Sequence, residues 1–86
     1  MATGAELQAQ GVKLFMQRDY EQAAAIFQQA RTAYQGEGKP DLAAEMQVNL
    51  GLIDRALGNY DTAIAAMTEA GGVFAGMNDK LREAQV

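Results

Sequence analysis

Apolar side chains recur along this chain at intervals of three and four residues, which is the spacing of one face of an α-helix. In the first stretch, residues 6–18, the spacing is carried by Leu7, Leu14 and Phe15. Three longer stretches repeat it further along the chain. The pattern therefore predicts helices over residues of about 5–18, 20–35, 40–57 and 60–75, with a short fifth helix from about residue 79.

Residues that favour helix ends stand between these stretches. Asp19 and Asn59 are suited to N-cap positions, and Pro40 is suited to a first helical turn because an N–H has no intrahelical partner there. Gly36 is expected to take the left-handed conformation that ends many helices. The spacing and the end signals together predict an all-α fold.

Each of the longer stretches has one face that we expect to be buried. The third helix carries Leu42, Met46, Leu50, Ile53 and Leu57 on one side. The stripe of the second helix consists of Tyr20, Ala23, Ala24, Phe27, Ala30, the stem of Arg31, and Tyr34, and the fourth helix reproduces it with Tyr60, Ala63, Ile64, Met67, Ala70 and Phe74.

The chain also repeats itself forty residues apart. A fixed period of this size is typical of repeat arrays, in which one helical unit buries its apolar face only by stacking on the next unit. Arrays present an extended surface, so the repeat favours a binding function over a reaction centre. The identical positions are Gly11, Tyr20, Ala23, Ala25, Ala30 and Gly36, which recur as Gly51, Tyr60, Ala63, Ala65, Ala70 and Gly76.

Composition narrows the chemistry further. The 86 residues suit one small domain and include no cysteine and no histidine, so thiol nucleophiles, imidazole catalysis and most zinc or haem ligand sets are excluded. No metal or cofactor site is expected. An enzyme has little support, because no carboxylate pair is accompanied by a complementary base or a phosphate-binding loop.

The charge and the hydropathy pattern bear on partners and location. A formal net charge of −4 argues against nucleic acid, since binding to phosphates needs a basic surface. The N-terminus lacks a basic stretch followed by an apolar core, and no window approaches the ~20 apolar residues of a membrane span. We therefore expect no membrane insertion and a cytoplasmic location.

The repeated unit resembles the tetratricopeptide repeat. This resemblance implies a single domain over residues 1–86, in which two helix hairpins stack as an α-solenoid with a right-handed superhelical twist. Repeat 1 would cover about 5–38, repeat 2 about 40–77, and residues 78–86 would begin a third. The resemblance is carried by Gly11, Tyr20, Ala23, Phe27 and Ala30 in the first copy and by Gly51, Tyr60, Ala63, Met67 and Ala70 in the second. In this pattern the two glycines would let the paired helices approach closely.

The sequence departs from the family pattern in places. The usual period is about 34 residues, and the extra residues lengthen the second helix of each pair and its following loop, as in the rapsyn-like and kinesin-light-chain-like variants. Gln10 stands where leucine is usual, and Asp54 replaces a typical aromatic residue. The second repeat should therefore have weaker inner packing.

The resemblance further implies a peptide-binding groove lined by the first helix of each pair. Asn49 stands where these repeats often place an asparagine that grips a ligand backbone through both its donor and its acceptor; alternatively it is a plain polar surface residue. Val12, Phe15 and Met16 suit a hydrophobic partner or, equally, packing against a neighbouring helix. The groove residues would be Gln8, Val12, Phe15, Met16, Glu45, Val48, Asn49, Leu52 and Arg55.

Two functions follow from this pattern. The first is a non-catalytic module that binds a peptide or partner protein through the groove. The alternative is a structural self-assembly element, a homodimer formed by repeat stacking or by helix exchange across the loop at residues 36–39. In that alternative the chain could also be a fragment of a longer array. The apolar, glycine-rich run at residues 70–77 favours such pairing if it is exposed.

Overall fold

The computed structural model describes residues 2–85 of the chain, and the side chains of residues 2–80. It contains four α-helices: α1 (Gly4–Met16), α2 (Tyr20–Gly36), α3 (Pro40–Ala56) and α4 (Tyr60–Gln85). Each helix packs against the next along the chain. Within residues 2–85 there is no β-strand, so the predicted all-α fold and its solenoid arrangement of stacked helix hairpins are confirmed.

Short turns of three residues separate the four helices, and the middle residue of each turn has a positive φ. These residues are Arg18 (φ 62°), Gly38 (φ 74°) and Gly58 (φ 85°). The prediction for Gly36 is therefore wrong, because Gly36 is still helical and the left-handed residue lies two positions later. A left-handed residue after the last helical turn allows the exposed carbonyls of that turn to be satisfied.

All three turns are closed in the same way, by a backbone N–H that reaches the carbonyl five residues earlier. Asp19 occupies the N-cap position of α2 as expected, but its side chain makes no capping hydrogen bond. The bonds run from Asp19 to Leu14 (2.9 Å), from Lys39 to Tyr34 (2.9 Å) and from Asn59 to Asp54 (2.7 Å).

The separate fifth helix expected from about residue 79 is wrong, because α4 continues without a break to Gln85. The cause is visible in the repeat register. Asn78 and Lys80 stand where the first repeat has Gly38 and Pro40. Without the glycine that turns the chain or the proline that cannot continue a helix, the fourth helix extends past the expected turn.

The core lies between α2 and α3 and is closed by small residues at the points of closest helix approach. A Cβ added at Gly11 would lie 2.8 Å from Cε1 of Phe27, and one at Gly51 would lie 3.0 Å from Cε of Met67. The predicted roles of both glycines in close packing therefore agree with the geometry. The buried residues of the core cluster are Ala23, Phe27, Ala30, Tyr34, Ala43, Met46 and Ile53.

The expected burial of the fourth stripe and of one α3 residue is partly wrong. Ala63 and Ala70 are buried, but Tyr60 and Ile64 are each 63% exposed. Phe74 is 38% exposed and Leu57, which ends α3, is 44% exposed. The stripe of α2 is covered by α3, whereas none of the described residues forms a helix that covers α4 in the same way.

Candidate functional site

Residues of α1 and α3 line a common pocket above the buried ring of Phe27. Val12 and Leu52 form its open edges, each 41% exposed, while Phe15 is half-buried. Its complete lining is Val12, Phe15, Phe27, Asn49 and Leu52.

A second pocket also has Asn49 in its lining. Because Asn49 lines both, we call the two pockets together the α1–α3 groove. Apolar and polar side chains both line it, so it offers both area for burial and hydrogen-bonding groups. The second pocket is lined by Gln8, Glu45, Met46, Val48, Asn49 and Phe74.

Phe15 packs against its neighbours and also lines the first pocket. Its ring meets that of Tyr20 edge to face, with centroids 5.5 Å apart, an arrangement that aromatic pairs favour. Phe15 also packs against the core cluster and still forms part of the pocket wall. Packing against a neighbouring helix therefore holds this ring in place for any ligand that enters the groove.

Asn49 lies at the junction of the two pockets and is half-buried. Its Nδ2 lies 4.0 Å from Sδ of Met46, and sulfur is a weak acceptor. The carboxamide is thus held loosely inside the protein. It can exchange this contact for hydrogen bonds to a ligand at little cost.

Gln8 is fixed at the other end of the groove by Tyr34. The Tyr34 hydroxyl donates a hydrogen bond to Oε1 of Gln8, and the Tyr34 ring is only 3% exposed. Burial raises the pKa of Tyr34, and the negative charges of Glu37 and Glu45 raise it further. The tyrosine therefore stays a neutral donor and leaves the Nε2 donor of Gln8 free to face the groove.

Two of the predicted groove residues lie outside both pockets. Met16 ends α1 and is 78% exposed. Arg55 lines a different pocket together with Tyr60 and Ile64. Arg55 and Glu45 stand ten positions apart on α3, which corresponds to about 15 Å along the helix, so opposite charges flank the groove residues of α3.

Sequence reasoning missed three residues that line the groove: Phe27, Met46 and Phe74. Phe27 and Met46 were assigned to the core, and both side chains are indeed buried there. Phe74 could have been found from the repeat, because its counterpart Tyr34 contacts Gln8 of α1. Phe74 stands in the same relation to the start of α3.

Among the described residues, no group of three or more acidic, cysteine or histidine side chains could hold a metal ion. In the same part of the chain, no helix combines the length and the apolar character needed to cross a bilayer.

Comparison with known families identifies the class of protein that this geometry represents. The family model described as tetratricopeptide repeat matches residues 6–70. The chain therefore belongs to the tetratricopeptide repeat family, whose members are generally protein–protein interaction modules and typically non-catalytic. No curated protein and no solved structure matches the chain significantly.

Proposed function

We propose that this protein is a non-catalytic interaction module that binds a peptide segment of a partner protein in the α1–α3 groove. The observation that carries the proposal is the meeting of Val12, Phe15, Asn49 and Leu52 around one pocket. These residues come from two different repeats. Only the stacking of the repeats brings them together, which is how arrays of this kind build binding surfaces.

The lining suggests how a peptide would be held. An apolar side chain would fill the space between Val12, Phe15 and Leu52, and the carboxamide of Asn49 would bond to the peptide backbone. Gln8, Glu45 and Val48 would line the next part of the path, with Met16 and Arg55 near its end. At about 3.3 Å per residue, an extended segment of roughly four or five residues covers the span from Glu45 to Arg55.

The charges near the two ends give the groove a direction. Glu45 favours a basic residue on the ligand, and Arg55 favours an acidic residue or a carboxylate. We therefore expect ligands with a central apolar residue and opposite charges on either side. This pattern differs from the carboxylate clamp of chaperone-binding relatives, whose lysine and asparagine positions are occupied here by Gln8 and Val12.

Panning a phage-displayed library of random peptides against the purified chain tests the proposal. Peptides that bind should show the predicted charge order around an apolar residue. Leu52→Glu should weaken the binding of such a peptide by roughly tenfold or more, because it places a charge at the mouth of an apolar pocket.

Ala25→Glu provides the matched control. Ala25 is an exposed residue of α2 and is absent from the lining of both groove pockets. The same carboxylate placed there should leave peptide affinity unchanged. Equal losses from both variants, or none from Leu52→Glu, would place the binding site elsewhere.

A further inference from the structure

The second surface that distinguishes this molecule is the outer face of α4, which consists of Tyr60, Ile64, Met67 and Gly71. Tyr60 and Ile64 are each 63% exposed, and Gly71 has no neighbour within 4 Å of an added Cβ. The corresponding residues of the first repeat show what kind of neighbour packs against this face. Its counterparts on α2 are Tyr20, Ala24, Phe27 and Arg31, of which the first three pack in or against the core beside α3.

None of the described residues, 2–85, forms a helix that covers this face. In the first repeat the turn after α2 brings α3 back against the preceding helix. In the second repeat α4 runs straight on to Gln85. Residues 77–85 therefore lengthen the helix and do not return as an antiparallel neighbour.

The opposite end of the molecule cannot serve as the missing neighbour. On α3 the face that meets α2 includes Met46 and Ile53, both fully buried. The corresponding positions on α1 are Glu6 and Lys13, which are exposed. A second molecule stacked head to tail would bring charged side chains against Ile64 and Met67, which is unfavourable. The face of α1 that carries Glu6 and Lys13 therefore does not fit the apolar face of α4 in a second copy.

The outer face of α4 is, by contrast, complementary to itself. The four residues are spaced by alternating steps of four and three, and the same spacing continues to Phe74 and Asn78. This is the spacing of the contact positions in a two-stranded coiled coil, and we call the six residues the seam. Antiparallel pairing centred on residue 69 places Met67 opposite Gly71 of a second copy, a large side chain against a small one. The same register sets Ile64 opposite the second copy's Phe74 and Tyr60 opposite its Asn78.

We propose that two copies of this chain associate through an antiparallel pairing of their α4 helices along this seam. Each molecule keeps its own fold, since the turn between α2 and α3 is closed by the Lys39 N–H bond to the Tyr34 carbonyl. The antiparallel arrangement also sets opposite ends of the helix dipoles beside each other. A two-fold pairing of this kind closes after two molecules and does not grow into a filament.

Sedimentation equilibrium of the full chain over a range of concentrations tests the pairing. The expected result is a species of twice the 9.2 kDa monomer mass. Ile64→Glu should give the monomer, whereas Ala65→Glu, one residue away and off the seam, should keep the dimer. A monomer at every concentration, a mass that keeps growing, or equal behaviour of the two variants would overturn the proposal.

The adjacent glycines provide a second matched pair in case Ile64→Glu affects folding. Gly71 lies on the seam and Gly72 does not, yet an added Cβ at either position meets nothing within 4 Å. Gly71→Glu should abolish the dimer, and Gly72→Glu should preserve it. Loss of the dimer in both variants, or in neither, would contradict the seam.

Cysteine cross-linking tests the direction of pairing, because the natural chain has no cysteine. Tyr60→Cys mixed with Asn78→Cys should form a disulfide-linked heterodimer on mild oxidation. Neither variant alone should cross-link efficiently. Cross-linking of Tyr60→Cys with itself would indicate parallel pairing and overturn the arrangement.

Discussion

At the scale of single residues, the turns show a conflict between local preference and the fold. Three turns require a left-handed residue, and two of them have glycine, while the first has Arg18 with a φ of 62°. For a residue with a Cβ, the left-handed conformation costs roughly 1–2 kcal/mol of free energy. The same backbone hydrogen bond closes all three turns, so Arg18 adopts the conformation that this type of turn requires.

Arg18→Gly should therefore stabilise the protein. We expect the free energy of unfolding to rise by roughly 0.5–1 kcal/mol, because relief of the strained φ outweighs the greater freedom of glycine in the unfolded chain. Thermal unfolding followed by circular dichroism would measure this as a higher midpoint. Arg18→Ala is the control, and a similar gain from alanine would show that the arginine side chain, and not φ, was responsible.

Tyr34 links stability to pH. Because burial raises its pKa above the ordinary value of 10.0, the folded state holds its proton more tightly than the unfolded state does. The resulting stability is fully present below about pH 10 and is lost as pH rises through the pKa of the folded state. Urea unfolding between about pH 9 and about pH 11 should show this fall.

Tyr34→Phe isolates that contribution from the titration of the lysines. The variant should be less stable at neutral pH, since Gln8 loses its donor. Its further loss at high pH should be smaller than that of the natural protein. An equal loss in both proteins would mean that Tyr34 does not contribute to the alkaline transition.

Much of the residue-scale packing could be predicted from the sequence, because identical small residues recur in both copies. Gly11 and Gly51 were placed at close contacts, and the structure puts the Phe27 ring and the Met67 side chain against them. The left-handed position was misplaced at Gly36, because two glycines lie close together and spacing alone does not show which one ends the helix.

At the scale of helices, the two hairpins have the same arrangement but differ in the side chain that packs against the glycine. That side chain is rigid in the first hairpin and flexible in the second. The ring of Phe27 is 2% exposed and enclosed by the core. The group nearest to Gly51 is the terminal methyl of Met67, which is half-buried and flexible. The first hairpin should therefore tolerate less change at its contact than the second.

Alanine substitution at the two glycines tests this difference. Gly11→Ala should be net destabilising, because overpacking against a fixed ring costs about 1–3 kcal/mol, more than the ~1 kcal/mol that alanine gains in a helix. Gly51→Ala should cost less than Gly11→Ala, because Met67 can move and only the Ala63 carbonyl oxygen, 3.3 Å from the added Cβ, is fixed. Denaturant unfolding of both variants would give the comparison, and a larger loss at Gly51 would reverse the account.

The helices themselves were predictable because their apolar spacing is regular over many residues. The end of α4 was not predicted correctly, because the turn expected near residue 79 was inferred only from the register of the repeat. Asn78 and Lys80 replace the glycine and the proline that turn the chain after α2. Since neither replacement favours a turn, α4 continues as a helix. The predicted burial of Tyr60 and Ile64 was wrong for a related reason. It depended on a neighbouring helix that the described residues do not form.

At the scale of the whole molecule, the stacking of two repeats produces two surfaces with different chemistry. The α1–α3 groove combines apolar walls with the amides of Gln8 and Asn49. The outer face of α4 is a seam of large and small apolar residues. The groove residues could be proposed from the sequence through the family register, but their grouping into pockets depends on how α1 and α3 approach each other above Phe27.

The two surfaces share Phe74, but Leu52 belongs only to the groove and Ile64 only to the seam. Leu52→Glu should weaken peptide binding and leave the dimer intact, whereas Ile64→Glu should do the reverse. Leu52 and Ile64 line different pockets. Measuring both peptide affinity and mass for each variant would therefore separate a failure of one proposal from a failure of the other.

The central claim, that the stacked repeats form a peptide-binding groove between α1 and α3, is tested most directly by NMR. A library-selected peptide would be titrated into the ¹⁵N-labelled protein while backbone amide shifts are followed. The account predicts the largest changes at Val12, Phe15, Asn49 and Leu52, with little change at Ala25 on α2. Changes confined to α2 and the exposed side of α4, with the α1 and α3 amides unmoved, would contradict it.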